Sequence, residues 1–397
     1  MTTSENTALR ARELVHTSGV YPVRDIALVR GEGAHLFDAD GRRYIDCASG
    51  QGVAAVGHAH PRVVEAVREQ VGRLVTCSGS FPNDQRAALQ EQLCALLPEG
   101  LERVFLCNSG TEAMEGALKF ARIATGRTGI VAAERGFHGR TMGALSCTWD
   151  PKYREPFAPL VPGVSHAVHD DLASFERCIG GDTAAVVVEV VQGEGGVRPA
   201  SAGFLRGLRQ LCDERGALLV VDEVQTGFGR TGRMFAFEHH GVIPDVLALG
   251  KAIGGGLPMG AVALGAAVGE LPRGAHGSTF GGNPLACAAS RAALSTIVEE
   301  GLPARAEALG TRLRARLSGI ASPRIQEVRG LGLMVALQLD TPSAPFLAGL
   351  LERGVIALAA GPEVIRLLPP LVVGEADLEF VASSLAEVLT GETAEHA

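Results

Sequence analysis

The sequence predicts an α/β protein with a large middle domain around a mostly parallel sheet. A smaller α/β domain is expected from the two chain ends together. Two observations carry this. Short, near-continuous apolar runs alternate with helical patterns through the middle of the chain, as strands covered on both faces do. The ends show instead a hairpin signal, and later a helix pair with two more strands.

Strands are expected at 103–107, 129–133, 184–190, 217–221, 245–249 and 260–264. A helix over 112–125 turns Ala113, Ala117, Phe120 and Ala121 to one side. Ser201 is a natural N-cap for Ala202–Arg215, with Leu205, Leu208 and Leu211 inward. Near the start, 34–37 and 43–46 flank Asp38-Ala39-Asp40-Gly41, a hairpin signal. Pro61 opens a helix with Val63, Val64, Val67, Val71 and Leu74 at helical spacing. Strands at 325–328 and 333–339 and a helix at 375–389 close the chain. The implied boundaries are 1–60 and 289–397 for the small domain and 61–288 for the large one.

Composition narrows the function. The net charge of −8 disfavours nucleic acid, which needs a basic face. The longest apolar stretches fall well short of the roughly 20 residues that span a bilayer, and residues 1–19 carry charges throughout, unlike a secretory signal. Eight cysteines form no Cys-x-x-Cys pair. They read as reduced thiols of a cytoplasmic protein, with no metal site. Lysines and arginines total 36, yet only Lys119, Lys152 and Lys251 are lysines. Chemistry that needs a primary amine therefore has three candidates.

Lys251 follows the apolar run Leu247-Ala248-Leu249-Gly250 and precedes three glycines. A buried amine there can form an imine with an aldehyde. A strand-end lysine reaching solvent would share this local sequence. Asp222 ends Leu218-Leu219-Val220-Val221, at the strand end where α/β ligands bind. It could hold a pyridine nitrogen protonated, cap a helix or bind a metal. Ser109-Gly110-Thr111-Glu112 sits between a strand and a helix, where free N–H groups attract anions. Phe137-His138-Gly139-Arg140-Thr141 offers a ring to stack and a guanidinium to clamp a carboxylate. A second hydroxyl-rich and glycine-rich loop spans 276–284. No P-loop or dinucleotide fingerprint is present. Each signal is weak alone. Together they supply an amine, a nitrogen partner, a phosphate cradle, a ring stacker and a carboxylate clamp.

The ordered set Asn108-Ser109-Gly110-Thr111-Glu112, Phe137-His138-Gly139-Arg140-Thr141, Asp222-Glu223-Val224-Gln225-Thr226-Gly227, Lys251 and Ser278-Thr279-Phe280-Gly281-Gly282-Asn283-Pro284 resembles the class III aminotransferases. The resemblance implies a fold type I transferase that uses pyridoxal 5′-phosphate. It implies that Lys251 is the catalytic, cofactor-bearing lysine and that Asp222 pairs with the ring nitrogen. Gly110 and Thr111 would bind the phosphate, joined by Thr279 of a second subunit in a homodimer. Phe137 would stack on the ring, with Glu223, Val224 and Gln225 in the cofactor loop. Arg140 and Ser278 would touch substrate. Arg366 would bind the α-carboxylate of glutamate, with Glu194 as its switch partner.

Within that class, residues 192–199 and 228–238 are similar to the acetylornithine and carrier-linked lysine branches, and residues 148–157, 322–335 and the loop from Phe81-Pro82 to Arg86 are similar to the carrier-linked branch. The carrier-linked branch implies an α-amine blocked by the small acidic carrier LysW, and a role in lysine and possibly arginine biosynthesis. A basic rim from Lys152, Arg154, Arg230 and Arg233 would suit such a carrier. The acetylornithine branch implies arginine biosynthesis only. An enzyme for 4-aminobutyrate or ornithine, an aminomutase and a non-catalytic scaffold are the remaining readings. Val190 and Met114 stand where the family has Pro and Asn.

Overall fold

The computed structural model describes residues 4–391. Its central sheet has seven strands: β1 (Leu101–Cys107), β2 (Gly129–Ala133), β3 (Val164–Ala167), β4 (Thr183–Val188), β5 (Leu218–Asp222), β6 (Val246–Leu249) and β7 (Gly260–Gly265). They lie in the order β1-β7-β6-β5-β4-β2-β3. The run from β6 through β5, β4 and β2 to β3 is parallel. Only β7 is antiparallel to its neighbours β6 and β1, so the sheet is mixed.

The near-continuous apolar runs have a direct cause. Side chains alternate across a strand, and here both faces are covered. Leu219 and Val221 join one core, which also holds Leu205 and Leu208 of the helix Ala202–Arg215. Leu218 and Val220 join the other, with Ala113, Ala117 and Phe120 of the helix Gly110–Thr125. All six residues of β4 are buried. Each such valine or leucine contributes about 1.5–3 kcal/mol on leaving water.

The helix Ala202–Arg215 begins as expected: Ser201 Oγ accepts from the Phe204 N–H at 3.2 Å. It ends at Gly216, whose left-handed φ of 63° suits glycine. Strand β3 was not among the expected strands. It is a sheet edge whose Ser165 and His166 break the apolar run.

At the ends, Leu28–Glu32, His35–Asp38 and Arg43–Asp46 form an antiparallel meander. The C-terminal strand Val355–Ile356 adds to it in parallel, beside Arg43–Asp46. A second small sheet runs Ile325–Leu331, Met334–Leu339, Val364–Leu367 and Leu358–Ala359. The last helix is Glu375–Thr390. Among the described residues, no helix is long and apolar enough to cross a membrane.

Candidate active site

Asp222, Glu189, Lys251 and Phe137 all stand at, or just beyond, the C-terminal ends of the parallel strands β5, β4, β6 and β2. This is the edge at which open α/β sheets gather ligands. The four line one cavity of about 260 Å³ with Gly110, Thr111, His138, Arg140, Glu194, Val224 and Gln225.

Lys251 turns out of β6 with a left-handed φ of 50°. Among the described residues it has no hydrogen-bond or ion-pair partner. Burial lowers its pKa to about 8, and Arg366 adds to the effect; Glu194 and Asp222 pull the other way. A neutral amine is the nucleophilic form. Apoenzyme should therefore take up an aldehyde cofactor faster as pH rises, levelling off above about 8. An ordinary lysine, with a pKa near ~10.4, would keep accelerating well beyond that pH. Stopped-flow absorbance across pH 6 to 10 checks this, and continued acceleration past pH 9 would contradict it.

Asp222 is buried. Its Oδ1 accepts from the Val224 N–H at 2.9 Å, and its Oδ2 lies 2.8 Å from His138 Nδ1. Burial alone would lower the pKa of His138. The hydrogen bond and charge of Asp222, with the charge of Glu189, outweigh it and raise the pKa.

The anion end is built from the start of the helix Gly110–Thr125. Ser109 Oγ caps the Glu112 N–H at 3.3 Å, which leaves the N–H groups of Gly110 and Thr111 without an intrahelical acceptor. A Cβ on Gly110 would come within 2.5 Å of Val224 Cγ1, so glycine is required where the two loops meet. The Thr111 hydroxyl lies 2.8 Å from that of Thr141.

The polar wall centres on Arg366, which is 1% exposed. Its Nη1 donates to Glu194 Oε1 at 2.7 Å and to Gln225 Oε1 at 3.2 Å, and its Nη2 donates to Gln51 Oε1 at 3.1 Å. Burial would raise the pKa of Glu194, but the charges of Arg366 and Lys251 win and hold it low. Arg140 lies over Tyr153, 4.2 Å from the ring centroid. Phe137 meets the same tyrosine edge-on at 5.6 Å.

Some expected site residues lie elsewhere. Glu223 is fully buried and turned into the fold, where it accepts from the Thr226 hydroxyl and the Phe237 N–H. Ser278 accepts from Asn108 Nδ2 at 3.0 Å. Neither Ser278 nor Thr279 lines the cavity of its own chain. Arg230 is no rim residue: it is 2% exposed and donates to the carbonyls of Leu333 and Pro369. Lys152 does line a wider outer cavity, as do Arg135 and Arg198.

The residues fit an aldehyde cofactor with a phosphate tail. They offer one unpartnered amine, free helix N–H groups, an aromatic ring and a buried carboxylate around a cavity of suitable size. Fold and site thus define a pyridoxal-phosphate-dependent transaminase. Residues 17–389 match the Aminotransferase class-III family, and the chain belongs to it. It is 50% identical over 383 residues to the [LysW]-aminoadipate semialdehyde transaminase of Deinococcus radiodurans, covering 96% of this chain and 89% of that protein. It is also 50% identical over 384 residues to the acetylornithine aminotransferase of Methanopyrus kandleri, covering 96% and 98%. Among solved structures it resembles the ornithine aminotransferase of Toxoplasma gondii ME49, with TM-score 0.93, 33% identity and coverage of 98% and 96%.

Proposed function

We propose that this aminotransferase moves the terminal amino group of an N2-blocked lysine or ornithine to 2-oxoglutarate, with the blocking group carried by an acidic protein such as LysW. The observation that carries this reading is the outer cavity of about 590 Å³, which shares Phe137 and Glu194 with the inner one. It holds Arg135, Arg198 and Lys152. Lys152 is paired with Asp150 at 2.8 Å. Arg135 and Arg198 have no carboxylate partner among the described residues. An acetyl group would leave that room and charge unused. Relatives at equal identity act, by name, on a LysW-linked substrate and on acetylornithine, so an acetylornithine enzyme is the second reading.

When bound, the cofactor supplies the aldehyde that takes up the amino group and a ring that accepts electrons. The chain does the rest. Lys251 Nζ is the base and acid that moves the proton at the reacting carbon. Asp222 holds the proton at the ring nitrogen. Gly110 and Thr111 hold the phosphate, and Phe137 holds the ring plane. In the homodimer that this reading includes, Thr279 reaches the phosphate of the partner subunit. Val71, Leu74, Phe81 and Phe280 are exposed apolar residues on the single chain, and a subunit interface would cover them.

Two substrates share the site through charge. With a terminal-amine donor, Glu194 neutralises Arg366, and Arg140 takes the distant carboxylate. With glutamate, the α-carboxylate lies beside the reacting carbon and needs Arg366 free. Glu194→Ala should therefore shift kcat/KM toward glutamate over the terminal-amine donor by about tenfold to a hundredfold, the value of a charge-assisted hydrogen bond. An unchanged ratio would sink the switch.

The substrate itself is tested by single turnover without 2-oxoglutarate, followed in the visible absorbance of the bound cofactor. LysW-linked lysine, acetylornithine, ornithine and 4-aminobutyrate are compared. Fast conversion by LysW-linked lysine is expected. Fast conversion by acetylornithine alone would make the second reading correct.

A further inference from the structure

Glu189 follows β4 and is 6% exposed. Its two oxygens go to two different loops. Oε1 accepts from the Phe137 N–H and Oε2 from the Gly193 N–H, each at 2.9 Å. Phe137 lies 52 positions upstream and forms the aromatic wall of the inner cavity. Gly193 immediately precedes Glu194, the partner of Arg366. The Gly193 loop packs directly on Gln225, because a Cβ there would sit 2.1 Å from Gln225 Oε1. Glu189 has no ion-pair partner among the described residues. The charged groups that act on it are His138, from the loop after β2, and Asp222, at the end of β5. Glu189 in turn acts on Lys251, on which Glu194 and Arg366 also act.

The geometry assigns Glu189 the part of a positioning residue: one buried carboxylate sets the ring-stacking loop and the Glu194 loop relative to each other, so that cofactor seating and donor selection are adjusted together. This rests on reading the cavity as the cofactor site and Glu194 as the selector. Two N–H donors need two acceptor oxygens. An ionised carboxylate supplies both, whereas an amide of the same shape supplies one and sets an N–H against the other donor. Burial raises the pKa of Glu189 to about 7; His138 opposes the rise, Asp222 adds to it, and the two N–H donors lower it. Gain of a proton turns one acceptor into a hydroxyl. Because the proton can sit on either oxygen, both tethers weaken on average as pH falls through about 7.

The test is Glu189→Gln in the holoenzyme. Hydrogen exchange should quicken by about tenfold or more in whichever of 135–140 and 191–197 faces the new amide N–H, as expected for a buried donor left unpaired. The cofactor dissociation constant should rise by about tenfold. The pH midpoint of the bound cofactor's visible absorbance should also move, which a space-filling role would not produce. Glu189→Asp keeps the charge and loses the reach, so it should loosen both loops and leave that midpoint in place. Unchanged exchange in both loops or an unchanged cofactor affinity in Glu189→Gln, or loosening of one loop alone in Glu189→Asp, would overturn the proposal. Should Glu189→Gln not fold, the wild-type protein decides. The protection of the Phe137 and Gly193 amides, corrected for intrinsic exchange, should fall together between pH 8 and pH 6; independent behaviour overturns it. None of these readouts uses an amino donor, so a wrong substrate assignment would leave them standing.

Discussion

Lys251→Ala is expected to lower turnover by about 10⁴-fold or more, since it removes both the covalent attachment point and the acid–base group. No other amine can replace it. The chain has three lysines. Lys119 lies 2.9 Å from His276, and Lys152 is paired with Asp150 outside the inner cavity. The fold should survive, because Lys251 makes no hydrogen bond or ion pair among the described residues and its charged form is disfavoured by burial. The measurements are kcat, the melting temperature and the visible spectrum of the purified variant. Cofactor should still bind through the helix N-terminus at Gly110, without the spectrum of a covalent adduct. A small amine such as methylamine should restore part of the activity as an external base. Turnover within tenfold of the wild type would refute the assignment.

The strands that position this lysine were legible because each contributes alternate side chains to two covered cores. Valine, leucine and alanine therefore follow one another without a polar break in β2, β4 and β6. Of the seven central strands, only the edge strand β3, with Ser165 and His166, does not show in the pattern; in the small sheets Leu28–Glu32, Val355–Ile356, Leu358–Ala359 and Val364–Leu367 do not either, being short or part polar. Lys251 and Asp222 were legible as polar residues placed where such runs stop. Glu189 interrupts an apolar run just as visibly. Its role was not legible, since its partners are backbone N–H groups and one of them lies 52 residues away. His138 stood in a recognised motif, but nothing local reveals that its ring meets Asp222, 84 residues on. Arg230 shows the opposite failure. Its guanidinium is satisfied by carbonyls 103 and 139 residues away, and no local pattern separates such a core arginine from a surface one.

Asp222→Asn should lower kcat by roughly 10²- to 10⁴-fold, the loss expected when a buried charge pair is broken, at ~3–5 kcal/mol. The substitution isolates charge from shape. An asparagine can still accept from the Val224 N–H, now at 2.9 Å from Asp222 Oδ1, and can donate to His138 Nδ1 from the other end of its amide. It cannot keep a ring nitrogen protonated, because it carries no negative charge. Lys251 remains in place, so cofactor should bind covalently and the defect should appear in kcat more than in KM. His138 supplies an independent check. Its pKa is raised because Asp222, with a smaller contribution from Glu189, outweighs burial. In Asp222→Asn burial gains the upper hand and the pKa should fall, which the histidine ring resonances report as a function of pH. If kcat stays within threefold while the His138 pKa falls, Asp222 serves the histidine and not the cofactor. If both fall, the aspartate does what its position at the end of β5 implies: it fixes the charge on the ring that Lys251 works against.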